Sequence, residues 1–449
     1  MKFKYIFGII LLFLTFTLSA KAESGQKYIV YLKQSAESDC EKPYTVMSEA
    51  ELSEYLKSDM VDFYEPDYEV PLLEDFSFRS ASAWNLSAIN VQKAWDIGCY
   101  GNYVTVAVID SGVYAHPDLA NNLLAGHNYI DDNSDTNDDI GHGTYVSGII
   151  AAEANGEYID GVANRAKIVP LKCFASGRPA TTSVLTDAIY DAVNTYHADV
   201  INMSFGMPYS LTTTTFQLAI QYAVDNGCIV VAAVGNSGNT TINNIIYYPA
   251  GYPDVIGVGS VDSNLSKSSF SSYNSSVCVV APGGGVSSVA IEGFTNNSGT
   301  SFACPHVSAM AAIAKCIDKD ISANEFREIL EETSTDLGDT GYDTYYGYGL
   351  INIEAMIDKM LENTPLFISP VSETADGTEV TVYNNSQNPF VAEGFAAGYE
   401  NGMLSGITLS DISLSAKETA KMNCLMADSV KFMLWRNFEP LKKAAEYAE

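Results

Sequence analysis

Gly299-Thr300-Ser301-Phe302-Ala303-Cys304-Pro305-His306 places a hydroxyl nucleophile at the start of a helix. Gly299 permits a tight turn before Ser301, and the small, apolar run Val307 to Ile317 reads as a buried helix. Pro305 is expected not to break it, because first-turn N–H groups have no intrahelical partner anyway. A serine there lies in a positive field that favours developing negative charge. Alone, such a serine is more often an N-cap.

Three other segments shift that weight. Val104-Thr105-Val106-Ala107-Val108-Ile109-Asp110-Ser111-Gly112 is an apolar, β-branched run ending in a carboxylate and a glycine turn. It fits a strand buried on both faces of a parallel sheet, with Asp110 at the carboxyl end where function gathers in open α/β sheets. Gly141-His142-Gly143-Thr144 opens a second apolar helix, Tyr145 to Ala152. Ile229-Val230-Val231-Ala232-Ala233-Val234-Gly235-Asn236 is another buried strand, ending in an amide. Serine hydrolysis needs a nucleophile, a base, a carboxylate that orients the base, and donors for the oxyanion. Ser301, His142, Asp110 and Asn236 supply one of each.

The chain order Asp, His, Ser and the four motifs resemble the subtilisin-like serine proteases, the subtilase family, over roughly residues 80 to 360. The resemblance implies an α/β fold with a mostly parallel central sheet and helices on both faces. It also implies peptide-bond hydrolysis with no catalytic cofactor. Ser204-Phe205-Gly206 matches the strand that pairs with extended substrate, and Ala233-Val234-Gly235 the wall of the first specificity pocket. The pocket-floor position, often glycine in the family, is Tyr247, which implies a shallow pocket. A structural calcium site is implied at Asp118 and the loop Glu153 to Ile159. Asp118 and Asn155 would offer side-chain oxygens, and Glu153, Glu157 and Ile159 carbonyls.

Strand-like runs alternate with helical patterns from about residue 80 to 360, as a parallel sheet covered by helices requires. Strands are expected at Val104–Ile109, Ala166–Lys172, Asp199–Met203, Ile229–Ala233, Val255–Gly259 and Val277–Val280. Helices are expected at Thr182–Tyr196, Phe216–Asp225, Ser301–Ile317 and Ala323–Glu332.

Before this body, residues 1–22 read as a secretory signal: Lys2 and Lys4, an apolar stretch Ile6 to Leu18, and Ala20-Lys21-Ala22. Residues 23–78 form a small α+β unit with a strand Lys27–Lys33, a capping box at Ser48-Glu49-Ala50-Glu51, and a strand Val61–Val70. That unit resembles the inhibitory propeptide of secreted subtilases, with the cut expected between Leu73 and Ala83. The peptidase domain is expected at 79–362. Residues 363–449 read as a small β-sandwich, from turn signals at Asp376-Gly377 and Asn401-Gly402 and strand-like Glu379–Tyr383, Leu404–Leu409 and Val430–Trp435.

The net charge of −31, from 55 Asp and Glu against 24 Lys and Arg, disfavours nucleic acid and anionic membrane surfaces as partners. Several of the eight cysteines lie within apolar runs, among them Cys173, Cys228, Cys278, Cys304 and Cys316, and read as buried free thiols. The expected protein is an exported monomer acting on polypeptides, restrained by its own propeptide. Two other readings stay open: a maturation protease that cuts one partner, and a catalytically idle binding protein on the same fold.

Overall fold

The computed structural model describes residues 25–33, 43–58, 60–72, 83–240, 245–374, 377–400, 403–425, 429–436 and 439–448, in two compact units that divide after Pro66. The signal segment, Cys40, the expected propeptide cut and the turn residues Asp376, Asn401 and Gly402 lie outside the described residues.

The first unit is an antiparallel sheet of order β2-β1-β3, from β1 (Lys27–Leu32), β2 (Thr45–Ser48) and β3 (Val61–Pro66). Helix α1 (Glu49–Lys57) starts in the expected capping box, with Ser48 accepting from Glu51 N and Glu51 accepting from Ser48 N. Leu52 of α1 packs with Val30 and Met47 in a small core. The expected strand Val61–Val70 is two strands. Pro66 offers no N–H to continue the ladder, and β4 (Glu69–Val70) pairs antiparallel with β8 (Ala180–Thr181) of the second unit, to which it belongs.

In the second unit, short helices α2 (Trp84–Ala88) and α3 (Gln92–Asp96) precede a seven-stranded sheet of order β14-β13-β11-β9-β5-β7-β6. Its strands are β5 (Thr105–Asp110), β6 (His127–Asn128), β7 (Lys167–Lys172), β9 (Val200–Met203), β11 (Ile229–Ala233), β13 (Ile256–Val261) and β14 (Val279–Pro282). All neighbours in it are parallel. The order turns back at β5: the chain adds β7 and β6 on one side and β9, β11, β13 and β14 on the other. Asp110 ends β5, so it stands at the switch point where crevices open in such sheets.

Helices α4 (His142–Ala151) and α7 (Thr300–Ile317) pack together on one face of the sheet; α5 (Thr182–Asn194) and α6 (Thr214–Asp225) pack together on the other. Strands β9, β11 and β13 are wholly buried, as two covered faces require. Helix α7 crosses β9, β11, β13 and β14, and nearly every one of its residues is buried, so it is apolar all round rather than on one stripe. Small two-residue strands β10 (Met207–Pro208) and β12 (Tyr247–Tyr248) pair beside the sheet, and β15 (Val286–Val289) with β16 (Phe294–Asn297) forms a hairpin against α4. Helices α8 (Ala323–Thr333) and α9 (Ile353–Met360) close the α/β body.

Two four-stranded antiparallel sheets follow. In one, β19 (Gly377–Asn384) pairs with β17 (Leu366–Ile368), β18 (Ser372–Thr374) and β22 (Thr419–Leu425). The other has the order β21-β20-β23-β24, from β20 (Phe390–Glu400), β21 (Met403–Leu414), β23 (Ser429–Arg436) and β24 (Glu439–Ala448). Val380, Val382 and Met422 from the first sheet share a core with Ile412, Val430 and Phe432 from the second, which is the expected sandwich.

Candidate active site

Asp110 and His142 are both fully buried, and His142 Nδ1–H donates to Asp110 Oδ1 at 2.8 Å. The same oxygen accepts the N–H of Ser111 at 2.7 Å. With the proton on Nδ1, the lone pair of a neutral imidazole sits on Nε2. This close approach of α4 to β5 depends on Gly143, where a Cβ would lie 2.1 Å from Gly112 O.

The start of α4 is held by a residue the motif reading passed over. Asp138 is buried and accepts from Gly141 N at 2.8 Å and Thr144 N at 2.9 Å, and from Thr144 Oγ1 at 2.6 Å. It thereby satisfies N–H groups that a helix start leaves open. A carboxylate four residues before His142 was visible in the sequence, but Gly141, with φ of 96°, occupies the N-cap itself.

Ser301 stands in the first turn of α7, buried between Ser204 and the helix. Its Oγ donates to Ser204 O at 3.0 Å, and Ser204 Oγ donates back to Ser301 O at 2.8 Å. The second bond corrects the reading of Pro305. That proline is the sixth helical residue, beyond the first turn, and the carbonyl it leaves without an intrahelical donor is that of Ser301. Ser204 takes that place. The next residue, Phe302, lays its ring against His142 at 5.4 Å between centroids. Asn236 lies over the same helix start: its Oδ1 accepts from Thr300 N at 3.0 Å and Thr300 Oγ1 at 2.8 Å, which leaves Nδ2 as its donor side.

Gly235 has φ of +97°, and a Cβ there would meet the ring of Tyr247 at 2.6 Å, so the phenol lies directly on this wall. Its hydroxyl is held by Ser237 Oγ at 2.7 Å. Ala233 and Val234 are fully buried. Phe205 is also fully buried, its ring 5.4 Å from that of Phe174, so this side chain is not presented at the surface.

Around Asp118, Asn155 Nδ2 donates to Oδ1 at 2.8 Å while Asn155 Oδ1 accepts from Glu157 N at 2.9 Å. The Glu153 carboxylate turns away to Asn121. Burial holds the Asp118 carboxyl above its ordinary value, and burial and the nearby Asp118 do the same to Asp160. Among the described residues, no three His, Cys, Asp or Glu side chains converge as a metal site.

The model of the Subtilase family, Peptidase_S8, matches residues 101–349. Subtilisin DY of Bacillus licheniformis is 39% identical over 274 residues, covering 61% of this chain and 97% of that protein. Subtilisin Savinase of Lederbergia lenta is 38% identical over 275 residues, with the same coverage of 61% and 97%. A solved protease structure from Pseudoalteromonas arctica PAMC 21717 superposes with a TM-score of 0.56 at 32% identity, over 61% of this chain and 94% of that one.

The chain belongs to the subtilase family. It is a serine endopeptidase with that family's α/β fold.

The histidine on the subtilase's α7 has a structural setting. His306 is fully buried; Nδ1–H donates to Phe302 O at 2.9 Å, and Nε2 accepts from Asn85 Nδ2 at 3.0 Å. Burial pushes its pKa down to about 4. The described cysteines are all buried free thiols, as expected. Burial pushes Cys304 up to about 12 and Cys278 up to about 11, so neither is a thiolate at neutral pH.

His306 makes stability depend on pH. Its folded pKa lies below the unfolded value of about 6.5, so the unfolded chain binds the extra proton between these values. Stability from this group is complete above pH ~6.5 and is lost as pH falls toward ~4, by about 3 kcal/mol in all. Urea unfolding of Ser301→Ala protein across this window should show that slope, and His306→Gln should flatten it whatever its overall stability. Parallel curves for the two proteins would refute the assignment.

Proposed function

We propose that the protein is an exported, self-processed serine endopeptidase whose nucleophile is Ser301. The observation that carries this reading is the buried His142–Asp110 bond at 2.8 Å, set beside the helix start that holds Ser301 and faces Asn236. His142 Nε2 would take the Ser301 proton as Oγ attacks the scissile carbonyl, then return it to the leaving amine. Asp110 would keep the imidazole in that tautomer and balance the imidazolium. The oxyanion would be met by Asn236 Nδ2 and the Ser301 N–H, at the positive end of α7. Substrate would run along the 204–206 edge as an added strand.

The proposed organisation is a signal at 1–22, a propeptide at 23–78, the peptidase at 79–362 and a β-domain at 363–449. The docking of residues 67–72 supports the propeptide. Asp67 caps the start of α5, accepting from Ser183 N at 2.8 Å and Ser183 Oγ at 2.6 Å. Val70 is fully buried on β8, and Pro71 and Leu72 line a cleft of about 550 Å³ with Ile140, Phe174 and Ser176. An extended segment lying there would block a substrate from doing the same. Export is supported by the N-terminal signal pattern and by relatives such as Minor extracellular protease Epr of Bacillus subtilis. Among the described residues no helix is long and apolar enough to cross a membrane.

Tyr247 favours the restricted-substrate reading over a broad scavenger. Its ring covers Gly235 and is pinned through Ser237, so a large side chain at the cleaved bond must displace it. A structural calcium ion is also proposed at this loop: the buried Asp118 carboxylate and, once its amide turns over from its present bonds, Asn155 Oδ1 would join the backbone carbonyls of Glu153, Glu157 and Ile159. When bound, the ion would neutralise buried carboxylate charge and fix the loop that leaves α4. Catalysis itself requires no cofactor in this reading.

Three outcomes are expected. Ser301→Ala should abolish peptide hydrolysis and fluorophosphonate labelling and leave the precursor uncut in 73–83; normal processing by that variant alone would overturn the reading. Tyr247→Gly should shift preference at the cleaved bond toward Phe, Tyr and Leu by about ten- to a hundred-fold in relative kcat/KM, measured on a peptide library. A parent enzyme that already cuts best after large aromatics would exclude this pocket. Finally, calcium should raise the Tm of Ser301→Ala protein above its value in chelator, since a ligand bound only by the folded state stabilises it. Equal melting temperatures would dismiss the site.

A further inference from the structure

We infer that buried Lys172 and half-exposed Asp139 form a strut that positions Asp110 and His142 and ties both to the substrate-receiving edge. The inference rests on the catalytic roles proposed above for Asp110, His142 and Ser301. Lys172 ends β7 opposite Asp110 in the parallel register. It is only 4% exposed, a placement that is costly for an ammonium unless its donors are met. Nζ donates to Ser111 O at 2.7 Å and to Asp139 Oδ1 at 2.6 Å. The other oxygen of Asp139 accepts the N–H of Ser176 at 2.9 Å. Two side chains thus join the turn after Asp110, the loop entering His142, and the stretch leading to β8.

Each joint bears on a reacting group. Ser111 N donates to the very oxygen of Asp110 that holds His142, and Ser111 Oγ accepts from Gly143 N at 2.9 Å. Displacing Ser111 therefore moves aspartate and histidine together. Asp139 directly follows Asp138, which caps α4, so its own position sets where that cap stands. Ser176 lines the cleft into which Pro71 and Leu72 reach. Burial works to raise the Asp139 carboxyl, but the Lys172 ammonium and the Ser176 N–H outweigh it and hold it below the usual range. Asp139 is therefore a carboxylate at neutral pH. Both act through other residues and are positioning residues; small misplacements at a reacting centre cost large factors in rate.

The test uses the full chain carrying Lys172→Met, Asp139→Ala or both, with active sites counted by fluorophosphonate so that kcat refers to folded, labelled enzyme. Labelling of the parent at Ser301 checks the catalytic assignment separately. Each single change should lower titrated kcat on a peptide substrate about tenfold. Asp139→Ala should also raise KM, because it frees the Ser176 edge. The double variant should be no worse than the poorer single, since one network is lost only once. Asp139→Asn, which keeps an acceptor for Lys172, should recover part of the kcat lost in Asp139→Ala, and it decides the matter if Lys172→Met does not fold. A titrated kcat within twofold of the parent in Asp139→Ala, or losses that multiply in the double variant, would overturn the strut.

Discussion

A buried carboxylate at the carboxyl end of the central strand is the constraint on which the rest of this protein depends. An isolated anion of that kind is expensive to bury, and here Asp110 Oδ1 is met by Ser111 N–H and His142 Nδ1–H. Ser111 is its chain neighbour, but His142 is in place only because α4 approaches β5 closely enough for Gly143 to lie against Gly112 O. The approach in turn needs the Asp138 cap to hold the first turn of α4 without a side-chain cap at Gly141. Sheet order, helix placement and loop geometry are thus all tied to one buried charge.

A second network holds Ser301. Asn202, at the centre of β9, donates to Ser204 Oγ at 3.0 Å and accepts from Ser308 Oγ at 2.8 Å. Ser204 then bonds Ser301 through both its hydroxyl and its carbonyl. A helix that is buried on every side offers few polar groups, so each one it has must be matched by the sheet beneath it. The bend in hydrogen bonding that Pro305 imposes is used here: it leaves a carbonyl beside the nucleophile for a strand residue to grip. The serine is oriented by the sheet as much as by its own helix.

Short strand pairings lie at the periphery of this core. Tyr247 belongs to a two-residue strand paired with β10, and its ring lies on the pocket wall rather than in the sheet. Glu69 and Val70 likewise pair with the two-residue strand β8. Such short peripheral pairings can vary without disturbing the buried Asp110–His142 pair, because they share few polar partners with it.

The parallel sheet, its strands and the long helices were legible in the sequence, since apolar β-branched runs and helical periodicity are local signals. The placement of Asp110, His142, Asn236 and Ser301, each in a glycine-marked turn at the end of an element, was also legible. The break of Val61–Val70 was not, because alternation continues through Pro66 while the pairing partner changes. Asp139 and Lys172 were silent too: single polar residues whose partners lie as far as 61 positions away have no periodic signature. Sequence alone determined which chemistry the chain carries, because a nucleophile, base, carboxylate and amide are properties of side chains. Only the tertiary structure decided how they are held, because a buried hydrogen bond between distant residues exists once the chain has folded and nowhere before.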